Sequence, residues 1–306
     1  MITTSELLAD FSLGLAWKER GDLDRVAPLI PPATRIHVGF RDSGDTLKRV
    51  AVVRAVWRSG FVPVPVIAAR RLESEESLRQ YLAALANKTD SVLVVGGDPA
   101  LPRGPYPDAA SVIGSGLLEE HGITRVSVAG HPGGHPAVAD DVLWPALLGK
   151  TGLMKERELV GGVVTQFGFD PDQVLAWIAS ARDRGIDSPI RVGVPGPAAA
   201  PKLRAYADQC GVTVSESAAR EYGLTETADT VSPGRFISAL ASGYDPARHG
   251  TVTLHFNTFA GIAVTAKWIS GFRVPRARPA AGPPPASPLS GATRKQEPLT
   301  EAGTAQ

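Results

Sequence analysis

Short apolar runs recur along the chain, separated by segments with helical spacing. The runs are DFSLGL (10–15), RIHVGF (35–40), VPVPVI (62–67), SVLVVGG (91–97), RVSVAG (125–130), GVVTQF (162–167), IRVGVP (190–195) and TVTLHF (251–256). Most are β-branched and almost continuously apolar, the pattern of strands buried on both faces. Between them, residues 45–60, 76–88, 108–122, 171–185 and 200–211 carry apolar residues at helical spacing. In the first of these the periodic positions are Leu47, Val50, Val53, Val56 and Trp57. Gly60, Gly122, Gly185 and Gly211 follow helical patterns, where a left-handed stop costs glycine least.

Eight strands alternating with helices predict an α/β fold, a (βα)8 TIM barrel. The gap between the seventh and eighth strands, 196–250, is long enough to carry extra helix and loop. A doubly wound open sheet is the alternative, but no G-x-G-x-x-G follows the first strand. From about Arg273 the chain becomes rich in Pro, Ala, Gly and Ser and loses its aromatics. Such a segment buries too little apolar surface to offset its ordering entropy. The expected organisation is one barrel domain over 1–273 and a disordered tail over 274–306.

Composition narrows the chemistry. The 306 residues include 32 basic and 31 acidic side chains, a net charge of +1, with no block of like charge. Nothing points to nucleic acid or an anionic membrane as partner. The single cysteine, Cys210, leaves no intrachain disulfide and no thiolate zinc cluster, which suits a reducing cytoplasm. The N-terminus lacks a basic start followed by a long apolar run, so no signal peptide is expected. No uninterrupted apolar window of about 18 residues suggests a membrane span. A small-molecule partner is expected, and a homo-oligomer is compatible with the sequence.

In a barrel of this kind the site forms where the strands end. The fourth strand ends in Gly96, Gly97 and Asp98, a rim carboxylate or an ordinary Gly-Asp-Pro turn. The fifth ends in GHPGGHP, with His131 and His135 in a loop rather than one helical turn apart. A contact with an organic ligand or solvent fits that placement better than a metal site. The sixth ends on Thr165 and Gln166; a polar pair there needs partners, whether a helix cap, a barrel backbone group or a heterocycle's amide-like edge. Lys155 lies upstream on the preceding helical stretch. The eighth strand carries His255, Asn257 and Thr258, of which His255 reads as a satisfied core histidine.

Taken together these segments resemble the methylenetetrahydrofolate reductase family, flavin-carrying (βα)8 barrels. VGGDP is similar to its Arg-Gly-Asp-Pro segment and GHPGGHP to its Tyr-Pro-Glu-x-His-Pro segment. MKERELVGGVVTQFGFD resembles its Lys-…-Gly-…-Thr-Gln-Phe-Phe-Asp segment, and HFNTF its His-Phe-Tyr-Thr-Leu-Asn. GFVPVPVIAARRL and RVGVPGPAAAPKLRAYADQCGV match further stretches, so that the likeness spans about residues 8–272. The resemblance implies hydride transfer from NAD(P)H, through FAD, to 5,10-methylenetetrahydrofolate in folate one-carbon metabolism. It implies catalytic roles for Asp98, whose charge would favour a cationic iminium, and for Gln166, which would bond the pterin or nicotinamide. Gly97, His131, His135, Lys155 and Thr165 would meet the cofactor, and Gln166, Phe167 and Asn257 the substrate.

The chain departs from that pattern in one consequential place. Where the family's first strand has Phe-Ser-x-Glu, with the glutamate as general acid, this chain has Gly14. Asp10 and Glu19 are the nearest acids in sequence. Asp10 shares Gly14's face of the strand but lies roughly 13 Å away, at the wrong end. Losing a positioned acid slows such a reaction by about 10²–10⁴. Val66, Gly96, His131, Gly133, Asn257 and Gly261 also replace family residues, mostly on the cofactor side. A folate- or flavin-binding barrel without catalysis, or with altered specificity, is the alternative implied.

Overall fold

A computed structural model describes residues 3–39, 46–225 and 228–273. These lie within one compact unit, Met1–Val274. The expected tail, and Phe40 of the second expected strand, fall outside the described residues.

Eight parallel strands close into a barrel in sequence order. They are β1 (Phe11–Leu15), β2 (Arg35–Val38), β3 (Val62–Ala68), β4 (Ser91–Val95), β5 (Arg125–Gly130), β6 (Val160–Phe167), β7 (Ile190–Pro195) and β8 (Val252–Asn257). β1 closes the ring by pairing Phe11, Ser12 and Leu13 with Leu254, His255 and Phe256. Short α1 (Thr4–Leu7) precedes the barrel. A 3-10 turn (Trp17–Asp22) and α2 (Leu23–Val26) follow β1. Around the wall run α3 (Thr46–Arg58), α4 (Glu75–Leu85), α5 (Ala109–Gly114), α6 (Leu117–Glu120), α7 (Asp140–Glu156) and α8 (Pro171–Asp183). The last crossover holds α9 (Ala200–Cys210), α10 (Glu216–Tyr222), α11 (Gly234–Gly243) and α12 (Pro246–His249), and α13 (Ile262–Arg273) follows β8.

The helices stop where glycine permits it. Gly60, Gly122, Gly185 and Gly211 all have positive φ, +64° to +85°. Gly116, at φ +80°, also splits the expected 108–122 helix into α5 and α6. In α3 the buried positions are Val50, Val52, Val53 and Val56, whereas Leu47 and Trp57 face outward. The helical period placed the stripe correctly near its middle and too broadly at its ends.

Strand alternation sorts the barrel into two layers. Outward residues such as Leu13, Ile36, Val94, Val128, Val192 and Phe256 pack under the helices in the main core. Inward residues divide by side. Val64, Leu93 and Val164, with Val66 and Val95, form a small apolar cluster inside the barrel. On the β1, β2, β7 and β8 side the interior is polar, with Ser12, His37, Arg191 and His255 each lying between two outward-facing core residues. Ser12 Oγ lies 2.9 Å from His255 Nδ1, and the His37 and His255 rings are 4.4 Å apart. Asp10 accepts from Arg191 at 2.7 Å and from Arg35 at 3.3 Å. That ion-paired position confirms Asp10 at the N-terminal end of the barrel.

Candidate functional site

The C-terminal ends of the strands bring Asp98, Gln166, Asn257 and the His131–His135 loop to one mouth. Gly14 ends the inward row of β1. A Cβ there would meet only the Phe256 carbonyl at 3.6 Å and Thr258 Oγ1 at 3.8 Å, ordinary contact distances. Gly97 takes φ +91°, and its Cβ would press on the Ala68 Cβ at 3.1 Å. That conformation, costly for any other residue, turns the chain after β4 and sends Asp98 out at the rim. Asp98 accepts from Arg71 at 2.8 Å, yet its side chain stays 88% exposed. Its carboxylate is anchored and still presented to solvent.

Gln166 is half-buried at the end of β6, and its Oε1 accepts the Phe167 backbone N–H at 3.1 Å. Its NH2 can therefore serve as a donor. Asn257 is half-buried at the end of β8, two residues after inward-facing His255.

The long β7–β8 crossover supplies an element that the strand ends did not reveal. α11 packs against α8 and α1, filling the wall position that the crossover helix of a βαβ unit occupies. α9 and α10 are extra, and the neighbours of α9 are loops at the mouth. Lys202 lies within electrostatic reach of Glu19, after β1. The Tyr206 ring stacks on Phe259, after β8, at 4.3 Å. Burial, and then the nearby Asp98 carboxylate, push the Cys210 thiol above its ordinary range. Gly211 lies against Pro136 of the β5 loop so closely that a Cβ would clash with its ring. Eleven helical residues span about 16 Å. α9 thus runs as a bar from the β1 and β8 loops to those of β4 and β5. Its base is tied down by Ala200 N–H to the Ala228 carbonyl and by Arg204 to the Leu224 carbonyl at 2.6 Å.

Several expected site residues have other duties. Lys155 is exposed in the last turn of α7. Val160, just beyond it, donates to the Thr124 carbonyl at the start of β5. Lys155 therefore belongs to the N-terminal end of the barrel, opposite the mouth. The sequence offers two lysines a little over one turn apart, and Lys150 is the one near the strand ends, with Nζ 3.4 Å from the Ala129 carbonyl. Thr165 is buried, and its hydroxyl accepts the Gly193 N–H at 2.8 Å, so it fastens β6 to β7 where the register shifts. Phe167 is buried in edge-to-face contact with Phe169 and Phe259, so it supports the mouth from below and offers no free face. His135 is exposed, with Nδ1 accepting the Ala137 N–H at 3.2 Å.

His131 and Lys150 border a cavity of about 100 Å³, walled by the stacked pair Trp144 and Trp177. Burial lowers both groups' proton affinity, that of His131 to a pKa of about 4, where His135 and Lys150 add to the effect. An organic ligand of moderate size needs about 300 Å³ or more. Of the residues implied for the cofactor, Lys155 therefore stands at the far end of the barrel and Thr165 is committed to the β6–β7 bond, so neither lines this cavity. Among the described residues no group of three or more His, Cys, Asp or Glu is placed to hold a metal ion. Nor is any described helix long and apolar enough to cross a membrane.

No family model matches the chain. Among solved structures, a Clostridium thermocellum protein that binds two copies of 5-methyl-5,6,7,8-tetrahydrofolic acid superposes with a TM-score of 0.57. The match has 7% identity and covers 86% of this chain and 93% of that one. Dihydropteroate synthase from Thermus thermophilus matches at a TM-score of 0.44 and 14% identity, over 86% and 92% of the two chains. At 7% identity the likeness to the Clostridium thermocellum protein is one of fold.

Proposed function

We propose that the chain binds a reduced folate at the C-terminal mouth of its barrel and reduces 5,10-methylenetetrahydrofolate with hydride taken directly from NAD(P)H. The observation that carries this reading is that Asp98, just after β4, and Gln166, near the end of β6, stand at the C-terminal ends of strands of one closed barrel. A pterin has a flat, donor- and acceptor-rich edge. Gln166 supplies an amide of matching character from β6. Asp98 supplies negative charge from β4, which favours a substrate whose bridging carbon becomes a cationic iminium. Asn257 adds a second amide from β8. A solved barrel that carries a methylated reduced folate supports the choice of ligand class.

Direct transfer is the form proposed because Lys155, one of the residues implied for FAD, stands at the opposite end of the barrel. A reduced nicotinamide supplies a hydride without any intermediate carrier. The protein's part is to hold the two rings against each other at the mouth, with the Asp98 side chain beside the reacting carbon.

Gly14 favours a second reading, a folate-binding barrel without turnover, because the acid of the resembled family is missing there. Purified protein incubated with methylenetetrahydrofolate and NADH or NADPH separates the two. Folate-dependent loss of the reduced nicotinamide, with formation of methyltetrahydrofolate, supports the reductase. Folate binding without nicotinamide oxidation leaves the binder, and absence of both overturns the folate reading.

A further inference from the structure

We propose that the cavity beside the end of β5 is a second binding site, which takes a short aliphatic monocarboxylate on Lys150. The sequence opens this space locally. β5 ends in Gly130, and a Cβ there would collide with the Trp177 ring and the Val163 side chain. The glycine lets Trp177 of α8 lie over the strand end, with Trp144 of α7 stacked on it at 5.3 Å. Strand alternation puts Gly130 with Val126 and Val128 on the outward face of β5. The cavity therefore lies between the barrel wall and the helices α7 and α8. Its volume of about 100 Å³ is lined by Leu143, Trp144, Leu147, Trp177, His131 and Lys150.

Lys150 is the group that asks for an anion. Its one hydrogen bond among the described residues goes to the Ala129 carbonyl at a long 3.4 Å, and no described carboxylate pairs with it. An ammonium carries three N–H donors, and a half-buried one leaves them unmet only at a cost. Burial works against its charge, and an anion in the cavity would restore it. Arg184, 4.3 Å over the Trp144 ring, adds a second positive charge nearby. His131 is neutral at ordinary pH and has a ring N–H to offer a second carboxylate oxygen.

The rest of the lining sets the other end of the guest. Leu143, Leu147 and the two indoles suit a hydrocarbon tail. Asp140 also borders the cavity, but it is exposed at the start of α7, where water screens it. Its charge disfavours a second carboxylate on the same guest. A cavity of about 150 Å³ takes up benzene, so this one suits about four or five heavy atoms, the size of acetate or propionate.

NMR titration of the full-length protein, read at the indole N–H signals of Trp144 and Trp177, tests the site with propionate, malonate and propanol. Propionate is expected to shift both signals saturably, with malonate and propanol roughly tenfold weaker or more. Lys150→Met keeps the length of the side chain and removes its charge, and should weaken propionate binding by roughly tenfold or more. Ala146→Leu keeps Lys150 and narrows the cavity from an exposed helix position, and should weaken it likewise. Absence of a saturable shift with propionate, equal binding of malonate or propanol, or wild-type affinity in either variant overturns the site.

Discussion

Ser12 Oγ and His255 Nδ1 meet at 2.9 Å inside the closed barrel, beside the His37 ring and the Arg191 guanidinium. This polar layer fixes the β1–β8 seam on which Gly14 and Thr258 stand. Burial holds His255 down to a pKa of about 3, with the charge of Arg191 as a lesser cause. Burial also holds His37 well below the ordinary histidine range, helped by His255, Arg191 and Arg35.

Both histidines are neutral when folded and protonate near 6.5 when unfolded. Above that pH neither state binds the extra proton and the full stability is present. Below it only the unfolded chain binds protons, so stability is lost as the pH falls from about 6.5 toward about 3. His255 contributes at most about 1.4 kcal/mol per pH unit across this window, and His37 acts in the same direction. Urea melts of the wild-type protein at pH 7 and pH 5 should show the loss, and His255→Asn should reduce the slope. An unchanged slope in that variant would place the linked protons elsewhere.

Gly97→Ala should destabilise the fold by about 1–3 kcal/mol, since it forces φ +91° on a residue with a Cβ and presses that Cβ on Ala68. Because this turn aims Asp98, folate affinity should fall with stability. Thermal melts and binding titrations on the same preparation would check this; wild-type values for both would mean that the turn relaxes freely.

Asp98→Asn should lower turnover about tenfold or more while leaving folate affinity within a few-fold, if the charge acts on the iminium. Arg71 retains a hydrogen-bonding partner in the amide. Equal turnover would assign Asp98 to its turn and ion pair alone.

Tyr206→Ala should cost about 0.5–1.5 kcal/mol through loss of the stack on Phe259. It should also speed both association and dissociation of a reduced folate in stopped-flow experiments, by loosening α9. Exchange rates equal to wild type would mean that α9 does not gate the mouth.

Much of the barrel is legible in the chain because strand burial on two faces and glycine stops are local signals. The runs at 125–130 and 190–195 match β5 and β7 residue for residue. What escaped depends on contacts distant in sequence. Nothing near Lys150 or Lys155 says which of two lysines on one helix reaches the strand ends; the Val160–Thr124 pairing decides it. Thr165 and Gln166 look alike as polar strand-end residues, yet the register shift between β6 and β7 turns one hydroxyl into a backbone fastener and leaves the amide at the mouth. The path of α9 was hidden because its contacts, Tyr206 with Phe259 and Gly211 with Pro136, join separate loops. The gap at 196–250 was the available signal for it.

A reduced folate at the mouth between β4, β6 and β8 would be held in part by the Gln166 amide. Calorimetric titration of wild-type protein and of Gln166→Ala with 5-methyltetrahydrofolate tests it most directly. Saturable binding by the wild type is expected, with roughly tenfold weaker binding by a variant that melts like it, about 1.4 kcal/mol for the lost amide. Absence of binding to the wild type, or equal affinity in the two proteins, would contradict it.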